Sequence, residues 1–287
     1  MNKLSPSRRA YEIVVRTMLY LCAALTCLLL VFLIGYILYQ GIPGINWEFL
    51  STERSILRGT MGIFPSICNT LYVIVASLII ALPLGVGAAI YLTEYARNRR
   101  LVEIIEFATE TLAGIPSIIY AMVGSMVFCI SLNMGKTLLA GSLTLVIMVL
   151  PTIIRTTQES LKTVPQSYRE GSLGLGSGKW HMIRTVVLPS SIDGIVTGCI
   201  LAVGRIVGES AVLMYTVSMA VGMQDFSTIS GIMKSSGATL TVALYVYAKE
   251  EAEFAVAFSI ATVLLVLTVL INFAASLAGK KLKPENK

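Results

Sequence analysis

Charge is scarce in this 287-residue chain. Only 13% of its residues are Asp, Glu, Lys or Arg, about half of the ~25% usual in soluble domains. Histidine is almost missing, His181 being the only one. That removes most metal sites and most nucleophile–base arrangements, which need clustered His, Cys or carboxylate side chains. The cysteines Cys22, Cys27, Cys68, Cys129 and Cys199 are scattered, without CxxC spacing. They read as small buried hydrophobes rather than disulfides or zinc ligands. Such a composition argues against a soluble globular enzyme and against a disordered chain.

What is abundant is apolar. Hydrophobic residues make up 55% of the chain, and the mean hydropathy is +0.79. A helix needs ~20 apolar residues to cross a bilayer. Six stretches qualify, roughly Thr17–Tyr39, Ser66–Leu92, Ala108–Leu132, Thr137–Ile154, Ile192–Val217 and Phe254–Leu277. The first is too long for a signal-peptide core and no A-x-A site closes it, so a permanent anchor is expected. Pro83, Gly85 and Gly87, Pro116 and Pro151 fall inside these stretches. Within a bundle, neighbouring segments re-satisfy the backbone groups that such residues free. The expected fold is an all-α membrane protein, one six-span domain over 17–278 between tails 1–16 and 279–287.

The formal charge of +6 first sets orientation. With the N-terminus inside, 16 of the 22 Lys and Arg residues fall in the two tails and the second-to-third and fourth-to-fifth loops. Arg54, Arg58, Lys136, Lys234 and Lys249 fall outside, and Arg205 lies within the fifth span. Basic residues stay cytoplasmic, so both termini are expected there, in a cell membrane and in contact with lipid. Nucleic acid is not an expected partner. The apolar stretch Gly237–Ala248 is too short to cross. In the loop 218–252 it is expected as an extracytoplasmic helix packed on the bundle, or as a docking surface.

The fourth and fifth spans are joined by a long polar loop, 155–190. Ser167 is placed to cap a short helix with Glu170 as its box partner. A glycine-rich turn follows, then a second short helix, roughly Trp180–Val187, ended by Pro189. Trp180 and Met182 supply apolar anchors, and Arg169, Lys179 and Arg184 supply charge. Such a knob suits docking into a partner's groove, or resting on the membrane surface. Gly174-Leu175-Gly176-Ser177-Gly178-Lys179 imitates a P-loop, but Leu173 and Trp180 break the motif and no strand precedes it. ATP, if used, is bound by another subunit.

Glu170-Gly171-Ser172, three residues, Gly176, nine residues, then Val186-Val187-Leu188-Pro189 resembles the EAA loop of ABC importer permeases. The spacing agrees throughout. Gly171 and Ser172 stand for two alanines, and Val186 for isoleucine. The resemblance implies that Glu170, Gly171, Ser172, Gly176, Val186, Leu188 and Pro189 form a coupling element gripped by a cytoplasmic ATP-binding subunit dimer.

Arg205 and Glu209 are the only charges well inside an expected span. Arg205 lies ~20 Å along the helix from Ile192 at 1.5 Å per residue, near or a little beyond the bilayer midplane. At i and i+4 the two can pair on one helix face. One reading is a neutralised pair that joins helices. The other is an oxyanion station on a translocation path, since guanidinium presents a planar donor fork to phosphate. Hydrogen phosphate still carries a proton whose hydrogen bond Glu209 can accept, whereas sulfate does not, so Glu209 would disfavour sulfate.

This segment resembles the Arg-Ala-x-Gly-Glu stretch of oxyanion permeases. The runs Gly59–Tyr72, with Gly62-Ile63-Phe64-Pro65, Ile80–Ala96, with Leu82-Pro83-Leu84-Gly85, and Glu110–Tyr120, with Gly114-Ile115-Pro116, look like phosphate-specific permeases. The resemblance runs from about Gly59 to the sixth span. It implies a type I importer permease for phosphate, with no cofactor of its own. It further implies a second, related permease subunit and an extracytoplasmic phosphate-binding protein. A sulfate or molybdate permease of the same architecture is the alternative. An intramembrane enzyme lacks a buried nucleophile or carboxylate cluster, and the coupling loop argues against a secondary transporter.

Overall fold

The computed structural model describes residues 6–55, 60–219, 231 and 235–282. Arg58, Lys234, Lys283 and Lys287, and much of the expected outer loop, lie outside the described residues. Helices dominate. In chain order they are α1 (Pro6–Gly41), α2 (Trp47–Ser51), α3 (Phe64–Tyr95), α4 (Arg99–Gly114), α5 (Ser117–Ser131) and α6 (Leu138–Thr163). There follow α7 (Gln166–Gly174), α8 (Lys179–Ser190), α9 (Ile192–Val207), α10 (Ala211–Thr216), α11 (Leu240–Tyr245) and α12 (Phe254–Leu282). A two-residue antiparallel ladder pairs β1 (Arg54–Ser55) with β2 (Thr60–Met61).

Among the described residues, four helices are long and apolar enough to cross a membrane unbroken: those at the positions of α1, α3, α6 and α12. The expected third span is not one straight helix. α4 and α5 meet at a 99° bend, because Pro116 forces the preceding Ile115 out of helical geometry to ψ 131. The expected fifth span is also interrupted. α9 stops at Val207, and Gly208, Glu209 and Ser210 separate it from α10. The fourth span runs past Ile154 to Thr163, so the first nine residues of the expected loop 155–190 are helical. Helix α1 begins at Pro6, within the expected tail.

The core forms where α3 and α6 lie together, with α9 completing it. Val73, Ile74 and Ala81 of α3 pack with Leu145, Met148 and Ile153 of α6 and with Val203 and Ile206 of α9, all buried. Gly85 sets the close approach: a Cβ there would meet the Ile153 side chain at 2.6 Å. α12 is stitched to α1 by Ser259 Oγ, which donates to Gly41 O at 3.0 Å, and by Thr262 Oγ1, which donates to Ile37 O at 3.2 Å. Tyr36 and Phe258 add an edge-on ring contact at 5.6 Å.

The short apolar stretch after Gly237 does pack against the bundle. Leu240, Val242 and Ala243 of α11 are buried. Asn69 Nδ2 donates to Ala238 O at 3.1 Å, and Leu240 N donates to Thr70 Oγ1 at 2.9 Å. These contacts sit at one end of α3. The knob formed by α7 and α8 sits at the other end, against Glu94.

Candidate functional site

The α9–α10 break positions the first group. The Val207 carbonyl at the end of α9 accepts from Thr241 Oγ1 of α11 at 2.6 Å, so the interrupted backbone is held by a neighbouring helix. Glu209 lies in the break, and its Oε1 accepts from Val212 N at 3.2 Å. That oxygen therefore caps α10. No ion pair joins Arg205 to Glu209 among the described residues. The expected i,i+4 pair fails because the helix ends between its members.

Arg205 is half-buried and makes no hydrogen bond or ion pair among the described residues. An uncompensated guanidinium is costly at membrane depth, so its donors are free for an anion, water or another chain. Tyr120 of α5, itself buried, lies within electrostatic reach of it. The Tyr120 hydroxyl donates to Leu112 O across the 99° bend at 2.7 Å. In an unbroken helix that carbonyl would accept from residue 116, but Pro116 has no N–H. Ile115 N donates to the same carbonyl at 3.1 Å, so the Tyr120 hydroxyl is a second donor there and ties the start of α5 to the end of α4.

The second group is the knob. α7 starts at Gln166 with Pro165 at its cap and no side-chain cap. Ser167 therefore lies inside the first turn, and the expected capping box does not form. α8 runs through Pro189 to Ser190, and a 66° bend separates it from α9. Pro189 does not end the helix because its ring sits near the start of a fresh turn after a widened π-type segment, Ile183–Val187. Met182 is buried, together with Ile183 and Val187, against Ala89, Ile90, Leu161 and Val164. It anchors the knob to its own bundle and is not available to a partner.

The outward face differs. Glu170 and Gly171 are exposed, Leu175 is 91% exposed, and Trp180 is 58% exposed. Gly176 has φ +83, a conformation that side-chain-bearing residues rarely adopt. Ser172 braces this turn: its hydroxyl lies 2.6 Å from that of Ser177, whose Oγ donates to Ser172 O at 2.7 Å. Val186, Leu188 and Pro189 are half-buried at the root of the knob.

Sequence reasoning missed the clamp beneath the knob. Arg169 donates from Nε and Nη2 to Glu94 Oε1 at 3.1 and 3.0 Å, from Nη2 to Leu161 O at 2.8 Å, and from Nη1 to Val164 O. Lys179 reaches the Glu94 carbonyl and lies over the Tyr95 ring at 5.0 Å. It also missed the zip between α4 and α6. Glu110 meets Arg155 at 3.1 Å, and Glu106 meets Lys162 at 3.2 Å and Gln158 at 3.3 Å. The available signal was matching three-and-four spacing: Glu103, Glu106 and Glu110 on one helix, Arg155, Gln158 and Lys162 on the other.

Residues 81–284 match the family described as binding-protein-dependent transport system inner membrane component. The chain belongs to that family. The permease is 35% identical over 207 residues to a Bacillus subtilis (strain 168) protein named "Probable ABC transporter permease protein YqgI", covering 72% of this chain and 70% of that one. It is 38% identical over 181 residues to the phosphate transport system permease protein PstA of Yersinia pestis, covering 62% and 60%. Over 282 residues it is 28% identical to PstA 1 of Mycobacterium tuberculosis (strain CDC 1551 / Oshkosh), covering 96% and 90%.

Among solved structures, the permease resembles a bacterial alginate ABC transporter in complex with an alginate pentasaccharide-bound periplasmic protein. The TM-score is 0.62 at 13% identity, over 94% of this chain and 96% of that one. The inward-facing MetNI methionine ABC transporter gives 0.61 at 21%, over 80% and 96%. The permease thus has the all-α bundle of a type I ABC importer.

Proposed function

We propose that the permease forms half of the pore of an ATP-driven importer of inorganic phosphate. The observation that carries this reading is Arg205, a half-buried guanidinium beside two helix breaks, with no partner among the described residues. Relatives named as phosphate permeases support the choice of anion. A second, related permease completes the pore, and an extracytoplasmic binding protein delivers phosphate. A cytoplasmic ATPase dimer seats on the exposed face of Glu170, Gly171, Ser172 and Gly176, over the root formed by Val186, Leu188 and Pro189. The chain lies in a bacterial or archaeal cell membrane with both termini cytoplasmic.

In this mechanism ATP binding moves the knob, and α9 carries the motion to Arg205. The guanidinium replaces part of the water lost by the entering anion. Glu209, within the break, accepts a hydrogen bond from the proton that hydrogen phosphate retains and sulfate lacks, through the carboxylate oxygen that does not cap α10. Radiolabelled phosphate uptake by proteoliposomes holding the full complex tests this. Arg205→Ala should abolish uptake with assembly intact, and wild-type uptake would remove the oxyanion station. Glu209→Gln should raise inhibition by competing sulfate. Unchanged competition would exclude Glu209 from anion choice, and sulfate uptake by the wild type would favour the sulfate-type reading.

A further inference from the structure

A cavity of about 360 Å³ opens between the knob and the bundle. Its wall includes Thr93 and Glu94 of α3, Lys162 of α6, Gln166 and Arg169 of α7, and Lys179 of α8. Three cations thus surround one carboxylate. Glu94 is already committed to Arg169. Glu106 takes Lys162 from outside the cavity at 3.2 Å, and the wall still keeps a net positive charge. Each ammonium carries three donors, so Lys162 and Lys179 retain N–H groups after their present contacts. Thr93 Oγ1 is buried without a hydrogen-bond partner among the described residues. α7 begins at Gln166 without a side-chain cap, which leaves amide N–H groups and the positive helix end at the cavity mouth. Donors from three helices, α6, α7 and α8, converge on one small volume.

We infer that this cavity is a second anion site, separate from Arg205, for a phosphate group gripped by Lys162, Lys179 and Gln166. The group belongs either to free inorganic phosphate or to the headgroup of an anionic lipid. Both are present at the cytoplasmic surface where the proposed orientation places the knob. A bound phosphate would bridge α6, α7 and α8 and so tie the knob down. The site is then a brake: accumulated product or lipid charge slows the stroke. The braking role rests on the reading of the knob as the ATPase-coupling element. The binding itself does not.

The test uses the full complex carrying Arg205→Ala, reconstituted in nanodiscs of phosphatidylcholine with or without phosphatidylglycerol. In neutral discs, radiolabelled inorganic phosphate should bind saturably. Adding Lys162→Gln and Lys179→Gln should weaken binding at least about tenfold, since two charge-assisted contacts are lost. The corresponding Arg replacements should retain it and so control for folding. If phosphate does not bind, but phosphatidylglycerol slows ATP hydrolysis in a way the Gln pair abolishes, the occupant is the lipid headgroup. Absence of both effects, or effects indifferent to the Gln pair, overturns the site. Binding without any change in ATP hydrolysis keeps the site and removes the brake. Phosphate uptake by the same Arg205→Ala complex in proteoliposomes would defeat the transport reading while leaving the binding result standing.

Discussion

Two arginines are placed in opposite ways. Arg169, at the knob, is 12% exposed against a Glu94 that is 7% exposed, and it makes four hydrogen bonds within the chain. Arg205, in α9, makes none among the described residues. A guanidinium has five donors, and burying them unmet is expensive. The saturated arginine holds parts of the protein together. The unsaturated one is the one that the proposed function assigns to the anion.

The largest expected effect separates the two by their readouts. Arg205→Ala should reduce phosphate uptake by at least about a hundredfold, because a charge-assisted contact in a water-poor path is lost, while the unfolding midpoint in detergent stays near wild type. Arg169→Ala should do the reverse. It strands Glu94 in a largely buried place, a loss of ~3 kcal/mol, which a lower unfolding midpoint and poorer recovery of the complex would report. If both variants melt normally, or both lose only uptake, the contrast between them is wrong.

A smaller effect is expected at the knob turn. Gly176→Ala puts a side chain at φ +83 and should cost ~1–2 kcal/mol. Nothing lies within 4 Å of the added Cβ, so the strain is in the backbone alone. ATP hydrolysis should continue while uptake per ATP falls. The smallest effect belongs to Tyr120→Phe. Losing the bond to Leu112 O should cost ~1 kcal/mol and loosen the elbow beside Arg205. Slower uptake with unchanged ATPase affinity for the complex is the expected result, and an unaltered uptake rate would free Tyr120 from any part in the path.

Much of the bundle was legible because length and hydropathy act locally. α3, α6 and α12 announce themselves as apolar runs, and Arg205 stands out as a charge inside one. Pro116 was visible too, yet its consequence was not. A proline inside an apolar run is compatible with a mild kink or a 99° elbow, and the choice depends on distant contacts such as the bond from the Tyr120 hydroxyl to Leu112 O, eight residues back. Glu209 misled for a similar reason. Periodicity carried the helix through Gly208, whereas the α11 hydroxyl of Thr241 makes an ending at Val207 favourable. The Glu94–Arg169 clamp spans 75 residues, and no repeat in the sequence links its two halves.

The junction between α8 and α9 has a mechanical consequence. One residue, Ser191, makes the 66° turn, and its carbonyl is pinned by Ser160 Oγ of α6 at 2.9 Å. In the proposed mechanism the pin acts as a fulcrum, with the knob as the short arm of a crank and α9 as the long one. Arg205 rides ~20 Å out on that long arm, so tilting it by ~5° sweeps the guanidinium through ~2 Å, enough to exchange one set of hydrogen-bonding neighbours for another.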